Sequence, residues 1–466
     1  MIRKIAIVGS GLSGTLSAIN LLKSSKEKSI IYLIEEKRNQ YCRGVAYSND
    51  YLYQPLNVPA GNMSLFSDEP DDFFNWLNSN KGKYNAELQN LTRTSFVHRK
   101  IFGDYLIARF EEVQSKNKLV EVKKIFDEAV DVAPVRENKL HRVFLKSGNI
   151  LEVDKIIFAF GNFNPSRLKV TNEEFYESKF YEGNPWKQNI LKNISASEPV
   201  LLIGSGLTMV DVVVNLILNS HSAKIYVISR HGLIPRTHNT PSRCVSELPK
   251  NLFNNLEELL GWIKSEILKS AFRGDSWRSV IDSLRNDTQL IWKKLPSGEK
   301  KKFLRHLRPY WDVHRHRMPA ESAAYISQAL HRRQLQIIPA RINDFITEED
   351  FVNVYFRLSN DKTQMKLKVK KVINCTGPES NFNRIDKPLI KNLLRNGLIT
   401  TDGLELGLLN DDDGKLIAKD GATNIDLFLI GPPRKSTLWE SVALRELRQQ
   451  AEKLAKIINQ KEQVII

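Results

Sequence analysis

The fold of this chain is decided first by residues 5–14, which read IAIVGSGLSG. Four apolar residues of strand length precede a glycine-rich turn, and a helical pattern follows at Leu16, Ile19 and Leu22. Glycines at these spacings permit the tight turn, the approach of a pyrophosphate to the backbone, and close packing of helix on strand. The free N–H groups of the helix N-terminus then favour phosphate. The pattern therefore predicts a dinucleotide-binding βα unit.

A second apolar run, residues 30–34, ends at Glu35, 26 residues after Gly9. An acid at this offset hydrogen-bonds ribose hydroxyls. A lone glycine motif is weak evidence, but here both strands, the helix and the acid are in register. The residues expected to bind the first nucleotide are Gly9, Gly11, Leu12, Ser13, Gly14, Glu35 and Glu36.

The same pattern recurs at residues 200–206, where Gly204-Ser205-Gly206 follows a second apolar run. Counting 26 residues from Gly204 reaches Arg230, beside Ser229, and an arginine can hold a 2′-phosphate, so this site favours NADPH. Met209 replaces the third glycine, and a degenerate repeat that binds nothing remains an alternative. The residues expected at this second site are Gly204, Gly206, Leu207, Thr208, Asp211, Ser229, Arg230 and His231. One resident FAD and one visiting nicotinamide nucleotide is the usual division of two such sites.

Length and composition bound the rest of the interpretation. A chain of 466 residues with 41% hydrophobic and 26% charged residues predicts two or three folded domains and excludes wholesale disorder. The net charge of +16 favours anionic partners without choosing among them. Three separated cysteines, Cys42, Cys244 and Cys375, exclude a disulfide framework and a CxxC pair and predict a cytoplasmic protein. We expect no signal peptide, no membrane span and no lipid anchor.

Further characteristic stretches lie at residues 44–48, 56–59, 102–105, 159–162, 206–211, 229–235, 311–317 and 438–441. Through these stretches the sequence resembles two-dinucleotide-binding-domain flavoproteins, and among them the FAD/NAD(P)-binding family related to the bacterial YdhS protein. More distantly it is similar to N-hydroxylating and Baeyer–Villiger flavin monooxygenases. The resemblance implies further cofactor-binding residues, namely Gly44, Ala46, Tyr47, Asn57, Gly161, Thr376, Gly377, Gly431 and Trp439.

The expected fold class is α/β, with two Rossmann-like domains and a helical insertion. Residues 1–195 and 386–466 would form the FAD domain, and residues 196–385 the NAD(P) domain with the insertion at about 248–331. Near the C-terminus, the spacing of Thr437 and Glu440 predicts a capping box and a helix that begins there.

Residues 293–317 of the insertion hold five lysines and four arginines against Glu299 and Asp312, a net charge of +7. With aromatic neighbours this segment could form a phosphate- or nucleic-acid-binding face, but a solvated helix face with its aromatic rings in the core is favoured. His314 and His316 flank an arginine, which disfavours a metal site, so no metal is expected. The arginines could instead meet a substrate carboxylate or an NADPH phosphate.

The expected function is an FAD-dependent NADPH oxidoreductase, a monooxygenase that acts with molecular oxygen on a small amine- or carboxylate-bearing metabolite. No catalytic acid, base or nucleophile can be named from the sequence. A flavin-dependent RNA-modifying enzyme and a non-catalytic flavin redox sensor remain alternatives. A dithiol reductase is disfavoured because paired cysteines are lacking.

Overall fold

The computed structural model describes residues 2–49, 53–84, 88–135, 140–187, 189–192, 194–239 and 247–460. The chain divides into two compact units. The first unit comprises residues 1–49, 58–163 and 379–466, and the second comprises residues 50–57 and 164–378. The sequence predicted the boundaries near 195 and 385, whereas the structure divides the chain after 163 and after 378 and adds residues 50–57 to the second unit.

The strands of the first unit are β1 (Arg3–Val8), β2 (Ser29–Ile34), β3 (Val120–Ile125), β4 (Ala129–Val135), β5 (Leu140–Leu145), β6 (Ile150–Val153), β7 (Lys155–Phe158) and, near the C-terminus, Lys415–Ile417 and Thr423–Leu429. The predicted apolar runs 5–8 and 30–34 lie in β1 and β2. Its helices are α1 (Leu12–Ser24), α2 (Gly44–Tyr47), α3 (Asp72–Ser79), α4 (Arg99–Lys116), Pro388–Arg395 and Leu444–Asn459. Its 3₁₀ turns are Arg38–Gln40, Ala60–Asn62, Lys81–Tyr84, Phe382–Arg384 and Pro432–Arg434.

The helices and strands between residues 164 and 378 belong to the second unit. Its strands are β8 (Tyr181–Glu182), β9 (Val200–Ile203), β10 (Ile225–Ser229), β11 (Leu335–Thr347), β12 (Val352–Leu358), β13 (Gln364–Val369) and β14 (Lys371–Asn374), so the two late strands of the first unit are β15 and β16. Its helices are α5 (Leu207–Leu218), α6 (Leu256–Phe272), α7 (Trp277–Ser283), α8 (Thr288–Lys294), α9 (Ser297–Lys302), α10 (Arg308–Arg315) and α11 (Ala320–His331), which makes the last two helices of the first unit α12 and α13. Shorter turns lie at Glu173–Glu177, Lys250–Asn254 and Leu284–Asn286, and a π-helical turn at Phe303–Leu307.

The main sheet of the first unit has the strand order β15-β16-β7-β1-β2-β3. Every pair is parallel except the edge pair β15–β16. The strands β4, β5 and β6 form a separate antiparallel sheet. Because parallel strands are covered on both faces, the central strands are buried, and Ala6, Ile157 and Leu427 are 0% exposed. This arrangement confirms a Rossmann-like unit at the start of the chain.

The turn after β1 requires glycine. Gly9 has φ of +97°, and a Cβ at this residue would lie 2.4 Å from the carbonyl oxygen of Ala159. A Cβ on Gly14 would lie 2.0 Å from the carbonyl oxygen of Gly9. The first helix therefore packs on its own turn at a distance that no side chain allows, as the motif predicts.

The second unit repeats the plan with the order β13-β12-β11-β10-β9-β14-β8. Strands β8, β14, β9, β10 and β11 are parallel, and β12 and β13 extend the sheet in antiparallel fashion. Met209, at the third glycine position, is 0% exposed and belongs to a core that contains Ile326 and Ala329 of α11. The predicted α/β class with two Rossmann-like units is thus confirmed.

The predicted helical region is confirmed between residues 250 and 331. Its last helix, α11, packs against α5 and leads into β11, so it belongs to the helical layer of the sheet. The favoured interpretation of residues 293–317 is wrong in two details. Tyr310 is 50% exposed, whereas Arg315 and Arg317 are buried. Arg317 can be buried because Asp282 neutralises it.

The helix predicted to begin near Thr437 begins instead at Leu444. The hydroxyl of Thr437 donates to the carbonyl of Asn410 at 3.3 Å, and that of Ser436 donates to the carbonyl of Leu408 at 3.0 Å. These hydroxyls hold the 408–410 loop and are not helix caps. Glu440 has φ of +69°, which is incompatible with a helix, so the capping-box prediction is wrong.

Candidate functional site

A cleft in the first unit opens where the carboxyl ends of β1, β2 and β7 meet α2. Ligands of parallel α/β sheets bind at this edge. Ten of the residues predicted to bind cofactor line the cleft: Gly9, Gly11, Leu12, Ser13, Glu35, Glu36, Gly44, Ala46, Tyr47 and Gly161. Residues far apart in the sequence are therefore brought to one site.

The N-terminus of α1 has the donor groups that a pyrophosphate needs. Gly11 occupies the cap position without a side-chain hydrogen bond, and the first turn contains no acidic residue. The helix therefore presents free N–H groups and the positive end of its dipole. Gly44 lies close by, since a Cβ on Gly11 would be 3.3 Å from its Cα, and a Cβ on Gly161 would meet no atom within 4 Å. The cleft has both the room and the donors that fit a dinucleotide.

Glu35 is fixed to the glycine loop by Ser10. The backbone N–H of Ser10 donates to Oε2 of Glu35 at 3.0 Å, and its hydroxyl donates to the same oxygen at 3.1 Å. The N–H of Lys37 approaches Oε1 at 3.4 Å. A carboxylate held in this way keeps lone pairs for ribose hydroxyls, as the spacing from Gly9 predicts.

Two basic residues at the cleft were missed by sequence reasoning. Lys387, just before α12, lies 3.2 Å from Oε2 of Glu36 and 2.9 Å from Oε1 of Glu128. The same lysine lowers the pKa of the Glu128 carboxyl. Arg43 lies next to Gly44 and pairs with Asp104 of α4. No local spacing links Lys387 to Glu36, because 351 residues separate them.

The second unit places its glycine loop at the carboxyl end of β9. Gly204 has φ of +96°, and a Cβ there would lie 2.7 Å from the carbonyl oxygen of Cys375. Gly206 caps α5 without a side-chain bond, and a Cβ on it would meet nothing within 4 Å. Leu207 and Thr208 form the first turn, which contains no acidic residue. This second helix N-terminus also fits a phosphate group.

The residues after β10 differ in their roles. The hydroxyl of Ser229 accepts hydrogen bonds from the Ser205 hydroxyl at 2.9 Å and from the N–H of Gly232 at 3.0 Å. Arg230 is exposed, and its carbonyl accepts a hydrogen bond from the hydroxyl of Ser359. His231 is exposed and lies 6.2 Å from the ring of Tyr310. In the part of the chain that the structure describes, the guanidinium of Arg230 has no hydrogen-bond or ion-pair partner.

Several other predicted residues occupy supporting positions. A Cβ on Gly431 would lie 2.6 Å from Oγ of Ser13, so this glycine allows close packing behind the cleft, which Pro432 lines. Trp439 is buried at 6% exposure, and it is not among the residues that line the cleft. Gly14 packs on Gly9, as described above. The binding roles of these residues stay predictions.

Other predicted residues lie in the second unit. The carbonyl of Asn57 is 3.0 Å from Nε2 of His238. Asp211 is buried within α5, 6% exposed. The hydroxyl of Thr376 donates to the side chain of Asn374 at 2.7 Å, and Gly377 follows with φ of +91°. Their roles in binding also stay predictions.

Two Rossmann-type units, each with a bare helix N-terminus behind a glycine turn, define a two-dinucleotide-binding fold. Residues 6–163 match the FAD-NAD(P)-binding family, so this part of the chain is an FAD/NAD(P)-binding domain. A search of curated proteins finds no match. No helix in the described part of the chain is long and apolar enough to cross a membrane.

Solved structures with the same architecture extend over nearly the whole chain. An ornithine N-hydroxylase from Kutzneria sp. 744 is 15% identical with a TM-score of 0.65, over 98% of this chain and 99% of that chain. L-lysine 6-monooxygenase from Pseudomonas syringae is 14% identical with a TM-score of 0.64, over 98% of each chain. Bacillithiol disulfide reductase from Staphylococcus aureus is 11% identical with a TM-score of 0.55, over 98% of each chain. These similarities establish the fold that the chain shares with the three enzymes.

Proposed function

We propose that this protein is an FAD-dependent NADPH oxidoreductase that hydroxylates a small metabolite bearing an amine. The observation that carries the proposal is the pair of bare helix N-termini, at α1 and α5, each behind a glycine turn. Glu35 follows the second strand of the first unit, and Arg230 takes the corresponding place in the second. The fold similarity to ornithine and lysine hydroxylases supports an amine as the substrate class.

The first unit would hold FAD through its own backbone and one carboxylate. The N–H groups of Leu12 and Ser13 would bind the pyrophosphate, and Glu35 would accept hydrogen bonds from ribose. When bound, FAD supplies a carrier that accepts a hydride from NADPH and delivers electrons to molecular oxygen. The chain contributes orientation, exclusion of water and the polar contacts that fix the nucleotide.

Preference for NADPH is supported by positive charge at the carboxyl end of β10. Arg230 follows this strand directly. Arg341 and Arg357 are cross-strand neighbours on β11 and β12, and among the described residues neither has an acidic partner. Like charges opposite each other are unfavourable unless an anion compensates them. A 2′-phosphate supplies that compensation, whereas NADH has none to offer.

The two cysteines that the structure describes offer no thiol route for electrons out of the flavin. Cys42 and Cys375 are buried, and burial raises the pKa of Cys42 to about 12 and raises that of Cys375 as well. A reactive cysteine needs a lowered pKa and access. Cys244 lies outside the described residues, and the sequence holds no CxxC pair. Oxygen as acceptor requires no such partner.

The overall reaction would convert an amine, oxygen, NADPH and a proton into a hydroxylamine, water and NADP⁺. One oxygen atom enters the product, and the other is reduced by the two electrons of NADPH. The test incubates the purified holoprotein with NADPH and oxygen in the presence of L-ornithine, L-lysine or cadaverine. We expect one of these amines to accelerate NADPH oxidation, to yield a product heavier by one oxygen, and to lower the yield of hydrogen peroxide.

Two results would contradict the proposal. One is hydrogen peroxide formation that no amine changes, which would favour a flavin redox sensor. The other is reduced flavin that stays inert to oxygen but is reoxidised rapidly by an RNA substrate. That result would favour the RNA-modifying alternative.

A further inference from the structure

A cluster of three arginines, Arg236, Arg278 and Arg317, lies around the segment that follows β10. The N–H of Arg236 donates to the carbonyl of Val313 at 2.9 Å, and the N–H of Met318 donates to the carbonyl of Arg236 at 2.9 Å. The N–H of His238 donates in turn to the carbonyl of Met318 at 2.9 Å. This short parallel pairing fixes residues 236–238 against the end of α10.

Arg278 of α7 reaches the same segment. Its Nε and Nη2 donate to the carbonyl of Thr237 at 3.0 and 2.8 Å, and Nη1 donates to Oγ of Ser276 at 3.2 Å. Its guanidinium lies 4.5 Å from the ring centroid of Trp277. All of these partners are neutral, so they hold the guanidinium of Arg278 in place and leave its charge unpaired by them.

Arg317 forms an ion pair with Asp282 beside these two residues. Its Nη1 and Nη2 donate to the two carboxylate oxygens of Asp282 at 3.1 and 2.5 Å, and its side chain is 5% exposed. Its guanidinium lies 5.4 Å from the ring centroid of Trp277. Asp282 thus balances one arginine of three.

The positive charges of the cluster affect the pKa values of Arg278 and His238. Burial lowers the pKa of Arg278, and the charges of Arg317 and Arg236 lower it further, with Asp282 opposing them. Burial also lowers the pKa of His238, and the nearby charges of Arg317 and Arg285 act in the same direction. The side chain of Arg236 is exposed and has no partner among the described residues. Among the described residues, Asp282 therefore compensates the repulsion within the cluster only in part.

We propose that Arg236 and Arg278 form a binding site for an oxyanion, with Arg317 and Asp282 as its rigid support. Arginine suits this role because its planar fork binds carboxylate and phosphate through paired hydrogen bonds. The location also suits it, because ligands of parallel α/β sheets bind beyond the carboxyl ends of the strands.

The oxyanion can come from two sources, a phosphate of the nicotinamide nucleotide or the carboxylate of an amino-acid substrate. The assignment to one of these sources rests on the proposed function, whereas the site itself does not. L-lysine and cadaverine differ only in the carboxylate, so their comparison isolates the substrate source.

The first experiment measures thermal stability of the holoprotein with sodium pyrophosphate and with sodium chloride at equal ionic strength. We expect pyrophosphate to raise the melting temperature of the wild type and of Arg332→Gln, an exposed arginine at the end of α11. The double variant Arg236→Gln/Arg278→Gln should lose most of this increase. Arg236→Gln alone should lose part of it. Because this side chain is exposed and has no hydrogen-bond or ion-pair partner within the described ranges, the variant should fold normally.

The proposed site would be overturned if pyrophosphate stabilised the wild type and the double variant equally. It would also be overturned if pyrophosphate raised the melting temperature of the wild type no more than sodium chloride does. Neither readout requires turnover, so these results are independent of the hydroxylation test. The protein could hydroxylate no amine while the double variant still loses the stabilisation by pyrophosphate. That combination would contradict the proposed function and support the oxyanion site.

The second experiment identifies the source by titration of the same variants. A rise of roughly tenfold or more in the Kd of NADP⁺ assigns the site to nucleotide phosphate. A comparable loss of L-lysine binding with cadaverine binding unchanged assigns it to substrate carboxylate. A double variant that binds NADP⁺, L-lysine and cadaverine as the wild type does would overturn any role of the site in this reaction.

Discussion

The hydroxyl of Ser205 donates to the hydroxyl of Ser229 at 2.9 Å and so ties the glycine loop of the second unit to the end of its next strand. In the first unit, Ser10 ties the corresponding loop to Glu35. Each serine is the middle residue of a Gly-Ser-Gly turn. In each unit these hydrogen bonds hold the glycine turn beside the end of the next strand, where the sequence predicts that ribose binds.

The first prediction concerns Glu35. Glu35→Ala removes the carboxylate expected to bind ribose, and loss of a charged hydrogen bond costs about 1.5–3 kcal/mol, which raises the Kd of FAD roughly tenfold or more. Ser10→Ala should have a smaller effect, because the N–H of Ser10 still holds Glu35. Titration of the apoproteins with FAD, followed by flavin fluorescence, measures both. Unchanged FAD affinity in Glu35→Ala would remove this carboxylate from the site.

Gly206 permits a test of the second site without damage to the fold. A Cβ at this position meets no atom within 4 Å, and the backbone has φ of −82° and ψ of −167°, which any residue adopts. Gly206→Val should therefore fold normally and keep its flavin while the Kd of NADP⁺ rises by about tenfold or more. Gly206→Ala should show a smaller effect of the same sign. If Gly206→Val binds NADP⁺ as tightly as the wild type, the phosphate does not lie at this helix N-terminus.

Arg230 should select NADPH over NADH. Its exposed guanidinium has no acidic partner among the described residues, so Arg230→Ala removes little from the fold. Loss of a charge-assisted phosphate contact should raise the KM for NADPH roughly tenfold and leave that for NADH nearly unchanged. Steady-state kinetics with both nucleotides make the comparison. Equal effects on NADPH and NADH would show that Arg230 contacts a group that the two share.

Stability should fall in mild acid because of His221. This residue is 6% exposed, and burial lowers its pKa in the folded state. The unfolded chain, with a histidine pKa of about 6.5, therefore binds the proton more readily, so the free energy of unfolding decreases as pH drops below that value. Urea denaturation of the wild type and of His221→Leu at several pH values tests the effect.

His221→Leu should flatten this pH dependence by up to about 1.4 kcal/mol per pH unit. The control is His331→Leu, which changes an exposed histidine of α11 and should leave the slope unaltered. An identical slope in wild type and His221→Leu would show that the buried imidazole does not govern acid stability.

Local sequence sufficed for the parts of the fold that local sterics dictate. The turns at Gly9 and Gly204 have positive φ and no room for a Cβ, so their spacing alone predicts both Rossmann units. Prediction from the local sequence failed where tertiary contacts overrode local propensity. Thr437 has the spacing of a capping box, but its hydroxyl bonds the carbonyl of Asn410, and the helix begins seven residues later at Leu444.

Contacts of basic side chains with distant segments were equally inaccessible to local patterns. Lys387 reaches Glu36 and Glu128 from the opposite end of the chain, and Arg278 reaches the carbonyl of Thr237 across 41 residues. A basic residue on a helix gives no signal of its partner, because many positions in the sequence could pair with it. These contacts require the folded arrangement to be recognised.

The most direct test of the central claim is anaerobic reduction of the bound flavin by NADPH, followed by its visible absorbance. Two functional nucleotide sites predict a yellow purified protein whose flavin is bleached completely by one equivalent of NADPH, and more slowly by NADH. Subsequent admission of oxygen should restore the colour. A protein that carries no flavin, or a flavin that dithionite bleaches but neither NADPH nor NADH does, would contradict the account.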